Sequence, residues 1–265
     1  FQLALARSLA PDAAAIVNVD EDHLDWHASM RSYVEAKQRI YAHAKLAVFD
    51  RGDARAAPSA PGPALKLVSF GADAPAGAGD FGIVREHGID WLAHAQPEED
   101  PSAGASSRRR RVPAGFHVRR LMPADALRIR GTHNHLNALA ALALCDAIGV
   151  PMAKMLHGLR SYAGEPHRCQ LVATLDGVEY YDDSKGTNVG ATVAALRGLG
   201  KRCRLIAGGD GKGQDFSALV EPVRAHAASA YLIGVDAPRL QQALAASGVP
   251  IVRCDSLEEA VRRAR

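Results

Sequence analysis

Roughly the last hundred residues of the chain alternate apolar runs with helical patterns, and this order limits the possible folds more than any other feature. Helices are predicted to begin at Asn188, Phe216, Pro238 and Ser256, and the apolar runs around them are QLVATL, VEYYDD, CRLIAGG, AYLIGV and PIVRC. Strands that alternate with helices favour right-handed crossovers and a mostly parallel sheet. We therefore predict a small, doubly wound α/β domain whose ligand site lies at the carboxyl ends of its strands.

The first part of the chain predicts a second α/β domain. AAAIVNV and KLAVFD are typical of buried strands, apolar spacing predicts a helix over residues 29–44, and residues 65–130 contain short apolar runs separated by glycines. THNHLNALAALALCDAIGV predicts a long buried helix that Thr132 can cap. Because YAGEPHR interrupts these patterns, we predict two domains, 1–163 and 164–265.

The composition indicates a globular protein. Of the 265 residues, 48% are hydrophobic and 23% are charged, and no apolar run approaches the ~20 residues that a membrane-spanning helix needs. Cys145, Cys169, Cys203 and Cys254 form no CxxC pair, which favours reduced thiols and a cytoplasmic location.

Four consecutive arginines, Arg108 to Arg111, concentrate positive charge in a chain whose net charge is +3. They lie in QPEEDPSAGASSRRRRVPAG, whose proline, glycine, serine and charged residues predict a flexible loop. A nucleic-acid patch is the alternative, but no aromatic residues interleave these arginines. We expect a solvated loop, with neither a nucleic acid nor a membrane as partner.

The stretch YDDSKGTNVGA places an unusual density of hydrogen-bonding groups before an apolar helix. Gly186 allows a tight turn, Thr187 or Asn188 can cap the helix, and Lys185 with the first-turn N–H groups favours an anion. An ordinary strand–turn–helix junction explains Gly186 and Asn188, but it does not explain two acids and a lysine beside them. A binding role is therefore favoured over a purely structural one.

A second polar loop, AGGDGKGQDF, follows the strand CRLIA. Its four glycines let the backbone approach a ligand closely, and Lys212 offers a point charge suited to a carboxylate or a phosphate. It does not match the phosphate-binding pattern GxxxxGK[ST], because Gly213 follows the lysine. By itself this loop favours binding and structural roles equally.

An acidic cluster follows the first strand, in NVDEDHLDWH. Carboxylate and imidazole groups at this density can hold a divalent cation, and a polar turn with helix-capping acids is the alternative. The cluster comprises Asp20, Glu21, Asp22, His23, Asp25 and His27.

Other polar residues carry weaker signals. Lys37 lies on a predicted helix, where a single lysine usually belongs to a solvated face. His167 and Arg168 lie at the predicted domain junction, where ligand clefts often form. Asn134 and Asn137 are three residues apart on the buried helix, so they share a face and can contact an adenine edge or satisfy backbone groups.

Six stretches, in a fixed order along the chain, carry a resemblance to a known family. They are SLAPDAAAIVNVDEDHLDWH, YVEAKQRIY, GTHNHLNALAALAL, GEPHR, DDSKGTNVGAT and GGDGKGQDF, and they run from near Phe1 to Phe216. Together they resemble the Mur ligase family, the ATP-dependent amide-bond ligases of peptidoglycan synthesis. DHLDWH and HNHLNALAA are shared widely in the family, whereas PHR, DSKGTN and GGDGKGQDF resemble in particular the member that adds D-glutamate.

The resemblance implies both a fold and a reaction. The fold would be a mostly parallel, central ATPase-type domain followed by a Rossmann-like domain, with catalysis at their junction. ATP would phosphorylate the carboxylate of UDP-N-acetylmuramoyl-L-alanine, and the amine of D-glutamate would attack the resulting acyl phosphate. The implied cofactors are ATP and Mg²⁺, the implied location is the cytoplasm, and we expect a monomer.

The resemblance also implies roles for individual residues. His23 and Lys37 match metal-site residues, with Lys37 carbamylated on its amine so that it becomes an oxygen ligand, and both, with Lys185, match catalytic residues. Thr187 and Lys212 match the site that takes the α-carboxylate of D-glutamate. The residues that match ATP contacts are Asn134, Asn137, Arg168 and Asp183.

The chain also departs from the family pattern. We expect a fragment, since the family's UDP-sugar domain, its phosphate loop ending in GK[ST] and its later serine and phenylalanine segment have no counterpart here. The family's SFQLE ends in a magnesium-binding glutamate, whereas Phe1-Gln2-Leu3 is followed by Ala4. These departures predict that the chain by itself is inactive.

Two alternatives remain open from the sequence. A related Mur or folate polyglutamate-type amide ligase would take a different amino acid in the same pocket. A nucleotide-binding remnant that has lost catalysis would explain Ala4.

Overall fold

The computed structural model describes residues 2–6, 8–22, 24–98 and 115–265. Contacts divide the chain into two compact units, of which the first comprises Phe1–Arg128 and Asn134–Ala163 and the second comprises Ile129–His133 and Gly164–Arg265. The four consecutive arginines predicted to form a solvated loop lie outside the described residues.

Among the described residues, the first unit contains six strands, four whole helices and all but the first two residues of a fifth helix. The strands are β1 (Ala13–Ile16), β2 (Leu46–Asp50), β3 (Lys66–Phe70), β4 (Phe81–Glu86), β5 (Ile89–Pro97) and β6 (Phe116–Pro123). The helices are α1 (Gln2–Leu5), α2 (Leu24–His27), α3 (Met30–Gln38), α4 (Thr132–Ala147) and α5 (Met152–Ser161).

These strands form two sheets of different kinds. β1, β2 and β3 form a parallel sheet in that order, with Ala14 paired to Ala47 and Ala47 to Leu67. β4, β5 and β6 form an antiparallel sheet, which lies in the glycine-rich region predicted to contain short strands. The α/β class is confirmed, and the antiparallel sheet adds a layer that the strand pattern alone did not resolve.

A tyrosine hydroxyl holds the parallel sheet to the end of α3. Ser29 caps α3 by accepting from the Ser32 N–H at 3.2 Å, and a short 3₁₀ turn then carries Tyr41 into the core. The Tyr41 hydroxyl accepts from the Ile16 N–H at 3.0 Å and lies 3.0 Å from the Val48 carbonyl. Burial raises the pKa of Tyr41 to about 12, so the hydroxyl stays protonated and can donate.

The second unit contains five strands and four helices among the described residues. They are β7 (Gln170–Leu175), β8 (Val178–Asp182), α6 (Val189–Gly198), β9 (Cys203–Gly208), α7 (Val220–His226), β10 (Ala227–Ile233), α8 (Ala237–Leu244), β11 (Ile251–Arg253) and α9 (Leu257–Ala264).

β7 and β8 form an antiparallel hairpin rather than members of the parallel sheet. The turn is Asp176-Gly177, with φ of +52° and +77°. Two residues with positive φ are typical of the type I′ turn, for which Asp-Gly is a strong sequence signal. The predicted alternation of strands and helices therefore begins only after this hairpin.

The parallel sheet of the second unit has the order β11-β10-β9. Its helices begin close to the predicted positions: Asn188 and Ser256 cap α6 and α9 through their side chains, and Pro238 lies in the first turn of α8. A buried cluster that includes Leu196, Val223 and Leu232 packs between these elements. The sheet thus directs the end of β9, at Gly208, toward the loop that carries Lys212.

Two further predictions concern the whole described part of the chain. No helix there is long and apolar enough to cross a membrane. The four cysteines, all at described positions, form no disulfide there.

Candidate active site

The turn around residues 167–169 is clasped to the end of β8 by three hydrogen bonds. The His167 imidazole lies 2.7 Å from Asp182 Oδ2, and the Cys169 N–H donates to Asp183 Oδ1 at 2.9 Å. The Lys185 N–H donates to the His167 carbonyl at 3.0 Å. His167 and Cys169 both have positive φ, +65° and +46°, which non-glycine residues adopt only when the surroundings hold them.

This clasp brings three of the predicted site residues together. Arg168 lies between the two strained residues and its side chain is exposed; burial raises the pKa of Asp183, and the nearby Arg168 charge opposes part of that rise. Lys185, also exposed, follows Asp183 by two residues in the turn before α6. Predicted nucleotide contacts from two separate motifs are thus neighbours in the structure.

Adjacent carboxylates at the end of β8 have opposite electrostatic environments. Hydrogen bonds from His167, and then from Ser184, lower the pKa of Asp182 to about 2. Burial raises the pKa of Asp183, partly opposed by the hydrogen bond from the Cys169 N–H. Asp182 therefore has a structural role in the clasp, whereas Asp183 is a half-buried carboxylate beside an arginine.

A second group of residues lies on the loop after β9, Gly208–Gln214, which we call the glycine loop. Gly208 has φ of +144°, and a Cβ there would lie 1.9 Å from the Ile233 carbonyl oxygen. The Gly209 N–H donates to that same carbonyl at 3.0 Å, and the Gly211 N–H donates to Asp236 Oδ2 at 2.7 Å. The close approach to the end of β10 explains why position 208 is glycine, whereas at Gly211 a Cβ would lie 2.4 Å from the Phe216 ring.

Lys212 is held in a conformation that is costly for a residue with a side chain. Its φ is +51°, and its N–H donates to Asp210 Oδ1 at 2.9 Å. The side chain is exposed. Behind the loop, Arg239 donates to Asp236 Oδ1 at 3.1 Å and to the Gln214 carbonyl at 3.2 Å.

Gln214 joins the glycine loop to the start of α6. Its Oε1 accepts from the Val189 N–H at 3.0 Å, and its Nε2 donates to the Thr187 carbonyl at 3.4 Å. Thr187, whose side chain is exposed, and Lys212 therefore lie on two loops that are directly bonded to each other. The Asn188 side chain accepts from the Ala191 N–H at 2.8 Å. Two of the first-turn N–H groups expected to favour an anion are thus bonded to protein groups instead.

Predicted residues of the first unit form a separate set. Asn137 Nδ2 donates to Asn134 Oδ1 at 3.3 Å, so the two amides share one face of α4 as predicted. Lys37 is half-buried on α3, and its Nζ lies 4.9 Å from the centre of the Tyr33 ring. Contact with an aromatic face removes part of the amine's hydration, in contrast to the solvated face that the isolated residue suggested.

The acidic cluster after β1 is only partly described. His23 lies outside the described residues, so its predicted metal and catalytic roles stay predictions. His27 is buried, with its ring 4.9 Å from that of Tyr33, and is a core side chain. The Val19 N–H before the cluster donates to Asp53 Oδ2 at 2.8 Å. Among the described residues, no group of three or more histidines, cysteines or acids has metal-binding geometry.

Two sequence profiles match this chain almost from end to end. The Mur ligase middle domain matches residues 2–145, and the Mur ligase, glutamate ligase domain matches residues 167–265. The chain belongs to the Mur ligase family.

Relatives of known name support the same assignment. UDP-N-acetylmuramoylalanine–D-glutamate ligases of Burkholderia pseudomallei and Burkholderia mallei are 54% identical to the chain over 273 aligned residues. The alignments cover 100% of this Mur ligase chain and 54% of each relative, so the chain spans about half the length of the relatives it matches.

Solved structures share the fold at low sequence identity. MurF from Acinetobacter baumannii superimposes with a TM-score of 0.64 at 19% identity, over 96% of this chain and 52% of that one. The folylpolyglutamate synthase of Mycobacterium tuberculosis, solved with ADP and AMPPCP, gives 0.61 at 16% identity, over 96% and 56%. At these identities the likeness concerns the Mur ligase fold alone.

Sequence reasoning did not single out several residues that shape this Mur ligase site. Gln214 lies within the AGGDGKGQDF motif but has no predicted role, and Asp236 and Arg239 lie in a segment with no motif. For His167 the sequence indicates only a position at the domain junction, although its imidazole holds Asp182. The available signal was weak, because each acts through a contact with residues distant in sequence.

The Asp182 carboxylate predicts a specific dependence of stability on pH. Its pKa is about 2 in the fold and 3.8 ordinarily, so its stabilisation is present above pH 3.8 and is lost as pH falls through 2. Asp182→Asn should be less stable than wild type at pH 5, but it should lose less stability than wild type on acidification. Because the Asp182 carboxylate is partly exposed, the effect should be modest. We expect acidification to lower the thermal midpoint of wild type by about 1–3 °C more than that of Asp182→Asn.

Circular dichroism melts at pH 5 and pH 2.5 measure this difference. Asp176→Asn, which changes an 89% exposed carboxylate in the same hairpin, is the matched control. Equal acid shifts in wild type and Asp182→Asn would refute the assigned role.

Proposed function

We propose that this chain is the central and C-terminal part of an ATP-dependent ligase that adds D-glutamate to UDP-N-acetylmuramoyl-L-alanine. Family membership and 54% identity to D-glutamate ligases support the reaction class. The observation that carries the proposal is the direct bonding of the loops that bear Thr187 and Lys212 through Gln214. We also propose domains 1–163 and 164–265, a cytoplasmic location and a monomer, with neither nucleic acid nor membrane as partner.

The loops of the second unit suit an amino-acid carboxylate. Lys212 provides an exposed ammonium and Thr187 an exposed hydroxyl, so one supplies a charge-assisted hydrogen bond and the other a neutral one. The positive φ of Lys212 and its bond to Asp210 set the direction in which the side chain leaves the loop. We assign these two residues to the α-carboxylate of D-glutamate.

The reaction needs activation of a carboxylate, which does not condense with an amine at neutral pH. Transfer of the γ-phosphoryl group of ATP to that carboxylate forms an acyl phosphate and ADP. The D-glutamate amine then attacks the carbonyl carbon, and the tetrahedral intermediate expels phosphate to leave the amide. Charge neutralisation is the main demand of phosphoryl transfer, and we assign it in part to Lys185.

We assign the nucleotide contacts to four residues, which form two pairs. Asn134 and Asn137 present bonded amides on one face of α4, which suits the donor and acceptor edge of adenine. Arg168 and Asp183 lie together at the clasp, and their opposite charges suit a nucleotide's phosphate and ribose hydroxyls.

Magnesium is assigned to His23 and to Lys37 as a carbamate. Lys37 is half-buried on α3 beside the Tyr33 ring, 4.9 Å from its centre, rather than on a fully solvated face. This semi-enclosed position supports the assignment of Lys37 to a ligand role. When bound, Mg²⁺ would neutralise phosphate charge, and the carbamate would supply the oxygen ligand that a hard cation prefers.

The amino-acid specificity can be tested with a chimera. Residues 2–265 replace the matching section of the Burkholderia pseudomallei relative, which supplies the segments this chain does not span. We expect amide formation and ADP release with D-glutamate, and at least about tenfold lower kcat/KM with L-glutamate or other amino acids, because the carboxylate contacts are stereospecific. Coupled ADP assays and mass spectrometry of the product measure both.

The chimera experiment also separates the proposal from the two alternative functions. A folded chimera that prefers another amino acid favours the related-ligase alternative. If only the Ala4→Glu chimera is active, the natural chain is a remnant that has lost catalysis. Either result would overturn the proposal.

The role of Lys212 predicts a selective defect. In the chimera, Lys212→Ala should raise the KM for D-glutamate by roughly ten- to a hundredfold, because a hydrogen bond to a charged group contributes roughly 1.5–3 kcal/mol. The KM for ATP should change less than about twofold. Lys154→Ala, at an exposed position on α5, is the control. Equal losses for both substrates would contradict the assignment.

The role of Lys37 predicts loss of activity with chemical rescue. Lys37→Ala should reduce turnover by at least about a hundredfold, and short-chain carboxylates should restore part of it by replacing the oxygen ligand. Stability should change by less than about 1 kcal/mol, because the side chain is only half-buried. Lys45→Ala removes a largely exposed amine from the same unit and serves as the control. Normal turnover of Lys37→Ala at limiting magnesium would exclude the carbamate.

A further inference from the structure

We propose that Gln214 is a positioning residue for the amino-acid substrate: its side-chain amide clamps the glycine loop to the start of α6. The inference rests on the proposed function, because it concerns the site assigned to D-glutamate. Gln214 itself is not assigned a contact with substrate. It acts through Thr187 and Lys212.

The geometry leaves one orientation for the Gln214 amide. Oε1 must accept from the Val189 N–H, at 3.0 Å, and Nε2 must donate to the Thr187 carbonyl, at 3.4 Å. Exchanging the two atoms would place donor against donor and acceptor against acceptor. Both polar atoms of the amide therefore bond backbone groups at the start of α6. These two bonds fix the position of the glycine loop relative to the helix.

The main chain of Gln214 is fixed independently of its side chain. Its N–H donates to the Gly211 carbonyl at 2.9 Å, and its carbonyl accepts from Arg239 at 3.2 Å. Arg239 in turn lies 5.3 Å from the centre of the Phe216 ring, which is buried. The clamp thus connects α6 to a rigid support rather than to a free loop.

Lys212 needs such a support. It lies between two glycines, Gly211 and Gly213, and its own φ of +51° is unfavourable for a residue with a side chain. Asp236 holds the Gly211 side of the loop through a 2.7 Å bond, and Gln214 holds the other side. Loss of the Gln214 side-chain amide would keep this main-chain support but would unbond the loop from Val189 and Thr187, so the ammonium of Lys212 and the hydroxyl of Thr187 would no longer be held in a fixed relation.

The clamp also uses a backbone donor that has no partner within the helix. Val189 is the first residue of α6, and the Asn188 cap already accepts from the third residue, Ala191. First-turn N–H groups have no partner within a helix. Gln214 occupies one of them, so the helix start cannot shift without breaking a bond to the glycine loop.

Kinetics of the chimera test the positioning role. Gln214→Ala removes both bonds and should raise the KM for D-glutamate about five- to thirtyfold, with the KM for ATP and the saturated kcat within about twofold. Gln241→Ala, at an exposed position on α8, should match wild type. A KM for D-glutamate that stays within about twofold of wild type in Gln214→Ala would overturn the proposal.

Two more variants separate positioning from stability. Gln214→Glu keeps the acceptor for Val189 but loses the donor to Thr187, so its thermal midpoint should return toward wild type while the KM stays raised. In the Lys212→Ala background, Gln214→Ala should raise the KM for D-glutamate by less than about twofold further, because the charged one of the two groups that it positions is gone. If the KM of Gln214→Glu for D-glutamate recovers together with its thermal midpoint, Gln214 is merely structural. The same conclusion follows if the effects of Lys212→Ala and Gln214→Ala on that KM multiply fully.

Amide hydrogen exchange tests the clamp without any substrate. In the 265-residue chain, the Val189 N–H should exchange about tenfold faster in Gln214→Ala than in wild type, and Gln241→Ala should leave it unchanged. Unchanged exchange would refute the clamp whatever amino acid the chimera uses. Faster exchange with no D-glutamate activity in the wild-type chimera would instead reject the proposed substrate and keep the clamp.

Discussion

The end of β9 passes so close to the end of β10 that only glycine fits there. A Cβ at Gly208 would lie 1.9 Å from the Ile233 carbonyl oxygen, and Gly209 donates to that oxygen. This contact turns the chain out of the sheet and toward Asp236, which fixes Gly211. The conformation and exposure of Lys212 follow from it, so the candidate substrate site depends on one close backbone approach at the carboxyl end of the sheet.

Electrostatic roles in the second unit are set by surroundings rather than by residue type. Asp182 and Asp183 are adjacent, yet hydrogen bonds hold the pKa of one low and burial raises that of the other. The first closes the clasp with His167, and the second lies next to Arg168. Similarly, Gln214 becomes important because two backbone groups of another loop lie at its amide. In this unit the role of a carboxylate or amide side chain depends on its burial and on the groups that it contacts.

The first unit shows the same dependence for its predicted residues. Asn134 and Asn137 share a face because a helix brings residues three apart together, which holds for any helix. The environment of Lys37 is less general: its half-burial over Tyr33 depends on how α3 packs, and the same packing buries His27. The sequence therefore singled out Lys37 and His27 as polar residues without distinguishing a half-buried amine from a core imidazole.

Local order in the sequence determined the family, the α/β class, the strands of the second unit and the caps at Asn188 and Ser256, because alternation and capping act over a few residues. Tertiary structure alone decided which polar groups meet. The clasp between residues 167–169 and β8, the support of Gly211 by Asp236 and the bond from Gln214 to Val189 join positions about 14 to 25 residues apart. No local pattern encodes such contacts, since they exist only when the hairpin and the parallel sheet have formed and brought distant segments together.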